Sequence, residues 1–278
     1  MEANVTDSQL ILQTKNNGVT TLSMNTPRRY NGWTGPMMEA LFGALRTAAT
    51  DPETLAVILT GADPYYCAGV NLSGVVSLAS PRALRERIRA HNQVLFDSFI
   101  DFPKPILAAV NGPAIGGSVT SATLCDGIIA SDKATFSTPF AQVAIAAEGC
   151  STVHLPRLMG PAGALRMIGP DGWVPTAAEA LATGLVQWVV PHDTLLDAAQ
   201  GIAEGWIAAG TKRTFRGGST REELKAVNAR ESEQVADSAL SAPFLRNQYR
   251  FLSSKKKRGP AAVFFLLWLL RPLWGRLL

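Results

Sequence analysis

Two short glycine-containing loops and one isolated carboxylate are the groups of this sequence that could perform chemistry. The first loop, residues 66–69, reads Tyr-Cys-Ala-Gly, and the second, residues 114–117, reads Ala-Ile-Gly-Gly. Each follows an apolar run that is typical of a buried strand, and in an α/β sheet ligands bind at the carboxyl ends of the strands. One backbone amide from each loop could therefore converge on a single oxygen and stabilise negative charge that develops there. A tight packing turn between a strand and a helix has the same composition, so the loops alone leave both interpretations open.

The isolated carboxylate is Glu148, the only acidic residue between Asp132 and Asp171. The apolar segment before it, residues 143–147, would remove water from the carboxylate. Loss of hydration raises the pKa of a carboxyl group toward the range in which it transfers protons near neutral pH. The alternative is structural: a glutamate at the start of a helix, stabilised by exposed backbone N–H groups near residues 151–152.

The elements that must position these groups alternate between strands and helices through the first two thirds of the chain. Asn17-Gly18 between two apolar alternations is a strong signal for a β-hairpin. Strands that alternate with helices form a largely parallel sheet with crossover helices. The patterns predict strands at 10–14, 19–24, 55–60, 106–110, 126–130, 135–137 and 185–190, and helices at 36–49 and 81–102.

From about residue 193 onward the pattern becomes purely helical. Helices are predicted at 193–209, 220–237 and 241–253. We therefore expect three segments: an α/β core with the candidate site over residues 1–192, a helical region over 193–258, and an apolar extension over 259–278.

The composition excludes several classes of function. The 278 residues, 47% of them hydrophobic, are enough for a large core, and a net charge of +4 does not resemble the basic face of a nucleic-acid-binding protein. The three cysteines include no CxxC pair, which argues against a disulfide framework or a zinc site and fits a reducing compartment. The polar N-terminal stretch is not typical of a secretory signal or a transit peptide. The three histidines lack ligand spacing and no dinucleotide fingerprint is present, so we expect no metal or redox cofactor.

The two loops together resemble a known family. An Asn-Gly pair at 111–112 precedes the second loop, and a Cys-Asp pair at 125–126 closes the helix after it. These motifs resemble the crotonase, or enoyl-CoA hydratase/isomerase, superfamily, and the resemblance extends to about residue 255. It implies an α/β fold, a crotonase-type spiral of ββα units with a helical C-terminal region. It also implies that the helical region over 193–258 mediates self-association, as a homotrimer or a dimer of trimers. It also implies an acyl-CoA thioester as substrate, with its thioester oxygen held in an oxyanion hole by the amides of Ala68 and Gly117.

Acidic residues distinguish the subgroups of that superfamily. Hydratases carry one glutamate three residues after the second oxyanion glycine and another about twenty residues later, and here those positions hold Thr120 and Phe140. Neither side chain can act as a general acid or base for the addition of water at neutral pH, so ordinary hydration is not expected. Residues 147–151, Ala-Glu-Gly-Cys-Ser, instead resemble the Pro-Glu-Gly-Cys-Ser segment of the peroxisomal delta-3,delta-2-enoyl-CoA isomerases, and residues 224–231 resemble the same subgroup. The resemblance makes Glu148 the catalytic base.

The same resemblance implies a set of residues that contact the CoA thioester. Arg28 and Arg29 lie in a loop that is near the nucleotide end of CoA in the family, and guanidinium groups suit phosphates, although two solvated arginines would have the same pattern. Residues 70–72 resemble the segment beside the adenine and pantetheine, although the subgroup's Asn-Asp pair is Val-Asn here. The expected substrate-binding residues are Arg28, Arg29, Ala68, Gly69, Val70, Asn71, Leu72, Gly116, Gly117, Thr120 and Phe140.

The C-terminal stretch departs from the resemblance. A basic run at 255–258 precedes ten apolar residues at 261–270, which are fewer than the roughly 20 that a membrane span needs. Basic residues beside Trp and Leu suit peripheral contact with a membrane surface, and burial against a neighbouring subunit or the protein's own surface is the alternative. The final residues, Arg-Leu-Leu, differ from the Ser-Lys-Leu peroxisomal signal. We expect an intracellular protein, peroxisomal or cytoplasmic, with membrane-surface association left open.

These observations give one leading hypothesis and two alternatives. The leading hypothesis is an enoyl-CoA isomerase of fatty acid metabolism that moves a 3-enoyl double bond to the 2-position through an enolate, with CoA present only as part of the substrate. The first alternative is another thioester reaction on the same fold, such as dehydration, decarboxylation or cyclisation in specialised metabolism. The second is a non-catalytic scaffold at a membrane surface.

Overall fold

The computed structural model describes residues 9–71 and 80–277, with the side chain of residue 277 excepted. Within these residues the strands are β1 (Ile11–Asn16), β2 (Val19–Met24), β3 (Ala56–Gly61), β4 (Ile106–Val110), β5 (Ala114–Ile115), β6 (Gly127–Ser131), β7 (Phe136–Ser137) and β8 (Trp188–Val190). The helices are α1 (Gly35–Thr50), α2 (Pro81–Ile100), α3 (Gly117–Thr123), α4 (Phe140–Val143), α5 (Ser151–Ile168), α6 (Ala177–Ala182), α7 (Leu195–Ala208), α8 (Arg221–Ala239), α9 (Ala242–Ser254), α10 (Arg258–Leu269) and α11 (Arg271–Trp274).

The main sheet has the strand order β1-β2-β3-β4-β6-β8 across the described residues. β1 and β2 are antiparallel and join through Asn17 and Gly18, whose φ angles of 48° and 79° are those that an Asn-Gly hairpin turn requires. The remaining neighbours pair in parallel. β3, β4 and β6 are buried along their whole length, as expected where helices cover both faces of a parallel sheet. The predicted hairpin and the largely parallel sheet are confirmed.

The strand predicted at 135–137 belongs to a separate small sheet. The sequence pattern placed a strand at 135–137 in the alternating series, but β7 pairs in parallel with β5, which the sequence did not predict. Both strands are two residues long and hold the second glycine loop in place. The Gly116 N–H donates to the Ser137 carbonyl at 2.7 Å. The loop is therefore fixed by backbone pairing at the end of β4.

Backbone hydrogen bonds also join the first glycine loop to the second. The Ile115 N–H donates to the Cys67 carbonyl at 3.0 Å, and the Cys67 N–H donates to the Pro113 carbonyl at 3.3 Å. The Ser118 hydroxyl donates to the same Cys67 carbonyl at 3.1 Å. Gly69 has a φ of +79°, and a Cβ there would lie 2.5 Å from the Ile115 carbonyl oxygen, so a side chain cannot be accommodated. The two loops thus lie side by side at the carboxyl ends of β3 and β4.

Helices α2 and α8 pack against each other. The buried face of α2 includes Ile88, Asn92, Leu95 and Phe99, a spacing of three and four residues that is typical of one helix face. Phe96 of the same helix reaches the backbone of the second glycine loop, because a Cβ on Gly117 would meet its ring at 3.5 Å. This pairing brings α2 directly to the candidate site.

The helices predicted from residue 193 onward are confirmed as α7, α8 and α9. α7 packs on the sheet through Leu195, Ala199 and Ala203, which belong to one apolar cluster with residues of β3, β4 and β6. The apolar stretch at 261–270 lies almost wholly in α10, which packs on α9, with the rings of Phe244 and Phe264 6.4 Å apart. The division of the chain into segments at 192 and 258 stays a prediction.

Candidate active site

Glu148 lies in the loop between α4 and α5 and is only 8% exposed. The side-chain amide of Asn92, on α2, donates to Glu148 Oε2 at 2.5 Å. The pKa of Glu148 is raised to about 7, mainly by burial; the hydrogen bond from Asn92 opposes the rise, and the nearby charge of Glu231 adds to it. A carboxyl group with this pKa can both accept and return a proton near neutral pH.

The helix start that follows Glu148 is occupied by a different carboxylate. Glu231, on α8, accepts hydrogen bonds from the backbone N–H groups of Cys150 at 2.7 Å and Thr152 at 2.9 Å, and from the Thr152 hydroxyl at 2.5 Å. These backbone groups have no partner inside the first turn of a helix. The interpretation of Glu148 as a helix-start glutamate is therefore wrong, because Glu231 satisfies that turn.

Gly117 is the first residue of α3, a position at which the backbone N–H has no acceptor within the helix. Gly116 before it has φ 61° and ψ −128°, a backbone conformation that suits glycine. A Cβ on Gly117 would lie 3.0 Å from Glu148 Oε1. The Gly117 backbone and the Glu148 carboxylate therefore border the same small space.

The amide of Ala68 is already used within the chain. Its N–H donates to the Tyr30 carbonyl at 2.9 Å. The next amide, that of Gly69, lies 3.3 Å from the Cys67 sulfur. The assignment of Ala68 as an oxyanion donor is therefore wrong in this structure, because an N–H that is held by a carbonyl of the fold is not free for a substrate oxygen.

The Val70 N–H is the amide of this loop that remains available. Val70 forms a parallel bridge with Trp33, and the two bonds of that bridge use the Gly69 carbonyl and the Asn71 N–H. In such a bridge the central residue directs its own N–H to the opposite side. The Val70 N–H has no hydrogen-bond partner among the residues that the structure describes. Val70 therefore replaces Ala68 as the candidate donor beside Gly117.

A cleft of about 680 Å³ lies in front of the two glycine loops. The loops and Phe140 line one side of it, and α9 lines the other with residues that include Arg250 and Phe251. A second, apolar pocket of about 40 Å³ lies between α2 and α8 and includes Ile88, Leu95 and Val235. Glu148 lines both, so its carboxyl group stands where the cleft meets the apolar pocket.

Most of the expected substrate-binding residues reach this cleft, and three do not. Arg28 and Arg29 are exposed on a 3₁₀ turn and are not among the residues that line it. Thr120 is fully buried, donates its hydroxyl to the Gly117 carbonyl at 3.3 Å, and lies beneath Gly149. Leu72 lies outside the described residues. The expected residues that line the cleft are Ala68, Gly69, Val70, Asn71, Gly116, Gly117 and Phe140.

The histidines divide between structural and pocket positions. His154 is fully buried, and its ring nitrogens lie 3.0 Å from the Thr123 carbonyl and 3.1 Å from the Ser219 hydroxyl, so its contacts are within the fold. His91 lines the apolar pocket beside Glu148. Over the described ranges no group of three or more metal-ligating side chains comes together.

Sequence reasoning missed Asn92, although a signal for it was present. Asn92 stands on the apolar face of α2 and is 6% exposed, and its Oδ1 accepts a hydrogen bond from Ser232 Oγ at 2.9 Å. A polar residue inside an apolar helical stripe is a candidate for a buried hydrogen-bond network. Its partner could not be read from the pattern, because Glu148 follows it by 56 residues.

A comparison with family models matches residues 14–245 to the model described as Enoyl-CoA hydratase/isomerase. The chain belongs to this family. Its mixed α/β architecture with a helical C-terminal region is that of the crotonase fold, as the resemblance implied. A crystal structure of an enoyl-CoA hydratase/isomerase from Pseudoalteromonas atlantica T6c is similar, with a TM-score of 0.73 at 28% identity, covering 88% of this chain and 97% of that one.

Two curated members of the enoyl-CoA hydratase/isomerase family carry isomerase names. Enoyl-CoA delta isomerase 2 of Homo sapiens is 35% identical over 263 residues, covering 91% of this chain and 65% of its own length. Enoyl-CoA delta isomerase 3, peroxisomal, of Mus musculus is 39% identical over 191 residues, covering 68% of this chain and 59% of its own length. The chain thus spans less than two thirds of the length of these relatives. Among the described residues no helix is both long and apolar enough to cross a membrane.

Proposed function

We propose that this family member is an enoyl-CoA isomerase that converts a 3-enoyl thioester into the 2-enoyl thioester. The observation that carries the proposal is the position of Glu148: a buried carboxyl group with a pKa raised to about 7, beside the Gly117 backbone and between the cleft and the apolar pocket. The isomerase names of two relatives support the same reaction. Thr120 and Phe140 stand where hydratases carry glutamates, which argues against water addition.

In the proposed mechanism the amides of Val70 and Gly117 donate to the thioester oxygen. Glu148 removes a proton from C2, and the electrons of the C2–H bond pass into a dienolate whose oxygen carries the negative charge. Each such donor contributes about 2.7–4 kcal/mol to stabilising charge that develops in the transition state. The dienolate then reforms the carbonyl and a C2–C3 double bond as C4 takes the proton back from Glu148. One carboxyl group serves both steps because its pKa lies close to neutral.

The two pockets suggest how the thioester is held. The acyl chain would enter the apolar pocket, because Ile88, Leu95 and Val235 surround it. The CoA portion would occupy the cleft, where Arg250 and Lys257 line the wall and offer cations for phosphate groups. These two residues replace Arg28 and Arg29 as the candidates for phosphate contact. CoA is part of the substrate, and the mechanism uses no further cofactor.

The decisive experiment supplies a 3-enoyl-CoA and a 2-enoyl-CoA in separate reactions and identifies the products by mass spectrometry and NMR. We expect the first substrate to yield the 2-enoyl-CoA and the second to gain no water. Glu148→Gln should bind the thioester and leave the double bond in place. Formation of a 3-hydroxyacyl-CoA by the wild type, or double-bond migration by the variant, would contradict the proposal.

The oligomeric state of the protein and its location in the cell are also proposals. The homotrimer or dimer of trimers implied by the family resemblance is checked by sedimentation equilibrium of the purified chain. The word peroxisomal in the name of the mouse relative supports a peroxisomal site, with the cytoplasm as the alternative. Fluorescent tagging in cells distinguishes these locations.

A further inference from the structure

The exposed face of α10 is apolar. Leu266 and Leu269 are 52% and 57% exposed, and their spacing places them on one stripe of the helix with Ala262. Leu270 and Leu273, immediately after, are 45% and 73% exposed. We refer to these four leucines as the leucine stripe. Soluble proteins normally direct the charged face of a surface helix to water, and this helix does the opposite.

The other face of α10 is apolar too, and its own chain covers it. Ala261 and Phe264 are buried in a cluster with Phe244 and Leu252 of α9. A helix that is apolar on all sides is normally buried all round. The leucine stripe therefore has the character of a contact surface that the described residues of its own chain leave open.

The charges along the sequence that contains the stripe have one sign. After Asp237 the sequence contains no Asp or Glu and eight Lys or Arg residues. The run 255–258 is exposed at the start of α10, and Arg276 is exposed beyond α11. None of these eight cations forms an ion pair with a carboxylate in the part of the chain that the structure describes.

This charge selects among the partners that an apolar stripe could have. A second copy of the chain would bring the same cations to the contact, and the like charges would oppose association. An anionic phospholipid surface supplies apolar acyl chains for the leucines and phosphates for the cations at once. The half-buried ring of Trp268 fits the same boundary, because an indole has an apolar body and one polar N–H.

The surface also lies outside the part of the chain that the family model matches, which ends at residue 245. We propose that the leucine stripe and the basic run at 255–258 dock the protein on an anionic phospholipid membrane, with the stripe entering the headgroup–acyl boundary. This binding uses residues outside the proposed isomerase site, with the exception of Lys257, which also lines the cleft.

Vesicle flotation of the full-length protein tests the proposal. The protein is mixed with vesicles of phosphatidylcholine alone or of phosphatidylcholine with phosphatidylserine. We expect flotation with the anionic vesicles, little with the neutral ones, and progressive loss as ionic strength rises, because salt screens the contact between cations and headgroups. Equal binding to both vesicles, or no binding to either, would overturn the proposal.

Two pairs of variants separate the apolar and the charged contributions. Leu269→Ser with Leu273→Ser should weaken binding to anionic vesicles roughly tenfold or more, whereas Leu165→Ser with Leu196→Ser, at exposed leucines elsewhere, should not. Lys255→Gln with Lys256→Gln should weaken it about fivefold for each lysine, whereas Lys133→Gln with Lys212→Gln, also exposed, should not. The lysine pair keeps the test decisive if the leucine pair fails to fold.

The competing occupant is a second copy of the chain. Analytical ultracentrifugation without lipid, on wild type and on Leu269→Ser with Leu273→Ser, measures this directly. We expect the same assembly for both proteins. A smaller assembly in the variant, together with unchanged flotation, would show that the stripe joins copies of the chain and would overturn the proposal.

Discussion

Two buried glutamates, Glu148 and Glu231, lie beside the same helix start and differ in how their oxygens are used. Glu231 is fully buried and accepts three hydrogen bonds from Cys150 and Thr152, at the first turn of α5. Glu148 accepts one described hydrogen bond, from Asn92, and lines both the cleft and the apolar pocket. The first carboxylate completes the fold, and the second is left open to a ligand.

The difference shows that burial alone does not make a carboxylate a candidate base. Burial raises the pKa of both residues, and the hydrogen bonds from the first turn of α5 oppose the rise at Glu231. A carboxylate whose oxygens are held by several donors is stabilised in its charged form and has little capacity left for a substrate proton. Glu148 combines a raised pKa with access to a cavity, and that combination is what proton transfer requires.

The largest expected effect is on kcat, when Glu148 and Glu231 are each replaced by glutamine in separate variants. Glu148→Gln should lower kcat for isomerisation by about 10²–10⁴-fold while leaving the thermal midpoint unchanged or higher, because a buried charge is removed. Glu231→Gln is the matched control and should keep kcat within a few fold for the folded protein. Steady-state kinetics and thermal unfolding of both variants check this. Equal losses of activity would remove the distinction between the two carboxylates.

The pH dependence of stability should follow Glu148. Its pKa is raised from 4.5 to about 7 in the folded protein, so between these values the folded state binds more protons than the unfolded state. The free energy of unfolding therefore falls as pH rises through this window, by up to about 3 kcal/mol from this residue. Glu148→Gln should flatten the decline, and urea titrations at several pH values measure it. An unchanged slope in the variant would argue against the raised pKa.

Removing the carboxylate of Glu231 should destabilise the protein while leaving the candidate base, Glu148, in place. Glu231→Ala leaves the N–H groups of Cys150 and Thr152 without their acceptor, and we expect a loss of about 2 kcal/mol in the free energy of unfolding. Glu223→Ala, which breaks an exposed ion pair with Arg157, is the control and should cost much less. Chemical denaturation of the three proteins provides the comparison.

The smallest expected effect is on the pH profile, when the hydrogen bond from Asn92 to Glu148 is removed. Asn92→Leu removes the donor to Glu148 Oε2 and so raises the pKa of Glu148 further. The rising limb of the profile of kcat/KM against pH should move upward by about one pH unit, equivalent to about 1.4 kcal/mol. Ser232→Ala, which only releases Asn92 Oδ1, should move it less. A profile that stays in place would show that Asn92 has no influence on the base.

Much of the fold could be predicted from the sequence because it depends on local patterns. The Asn17-Gly18 turn, the buried strands β3 and β4, and the helices α7, α8 and α9 follow from turn chemistry and from the spacing of apolar residues. The small sheet of β5 and β7 could not be predicted in this way, because strands of two residues contain too little periodicity. Their pairing depends on contacts across the fold.

The candidate site also has features that could be predicted from local sequence and features that could not. From the sequence alone, Glu148 is the one carboxylate in an apolar segment, and glycines follow two predicted strands. The sequence also shows that Thr120 and Phe140 are not acids. These properties are residue identity and local spacing, and no fold is needed to read them. By themselves they left structural interpretations open, and the family resemblance indicated the kind of chemistry.

The hydrogen-bond partners of the site residues could be identified from the tertiary structure and not from the sequence. It showed that Tyr30 occupies the Ala68 amide and leaves that of Val70 available, and that Glu231, from another helix, completes the start of α5. It also brought Asn92 to Glu148. The physical reason is common to all three: the direction of a backbone amide and the partner of a buried carboxylate depend on segments far apart in the chain. Local sequence carries no record of how those segments pack.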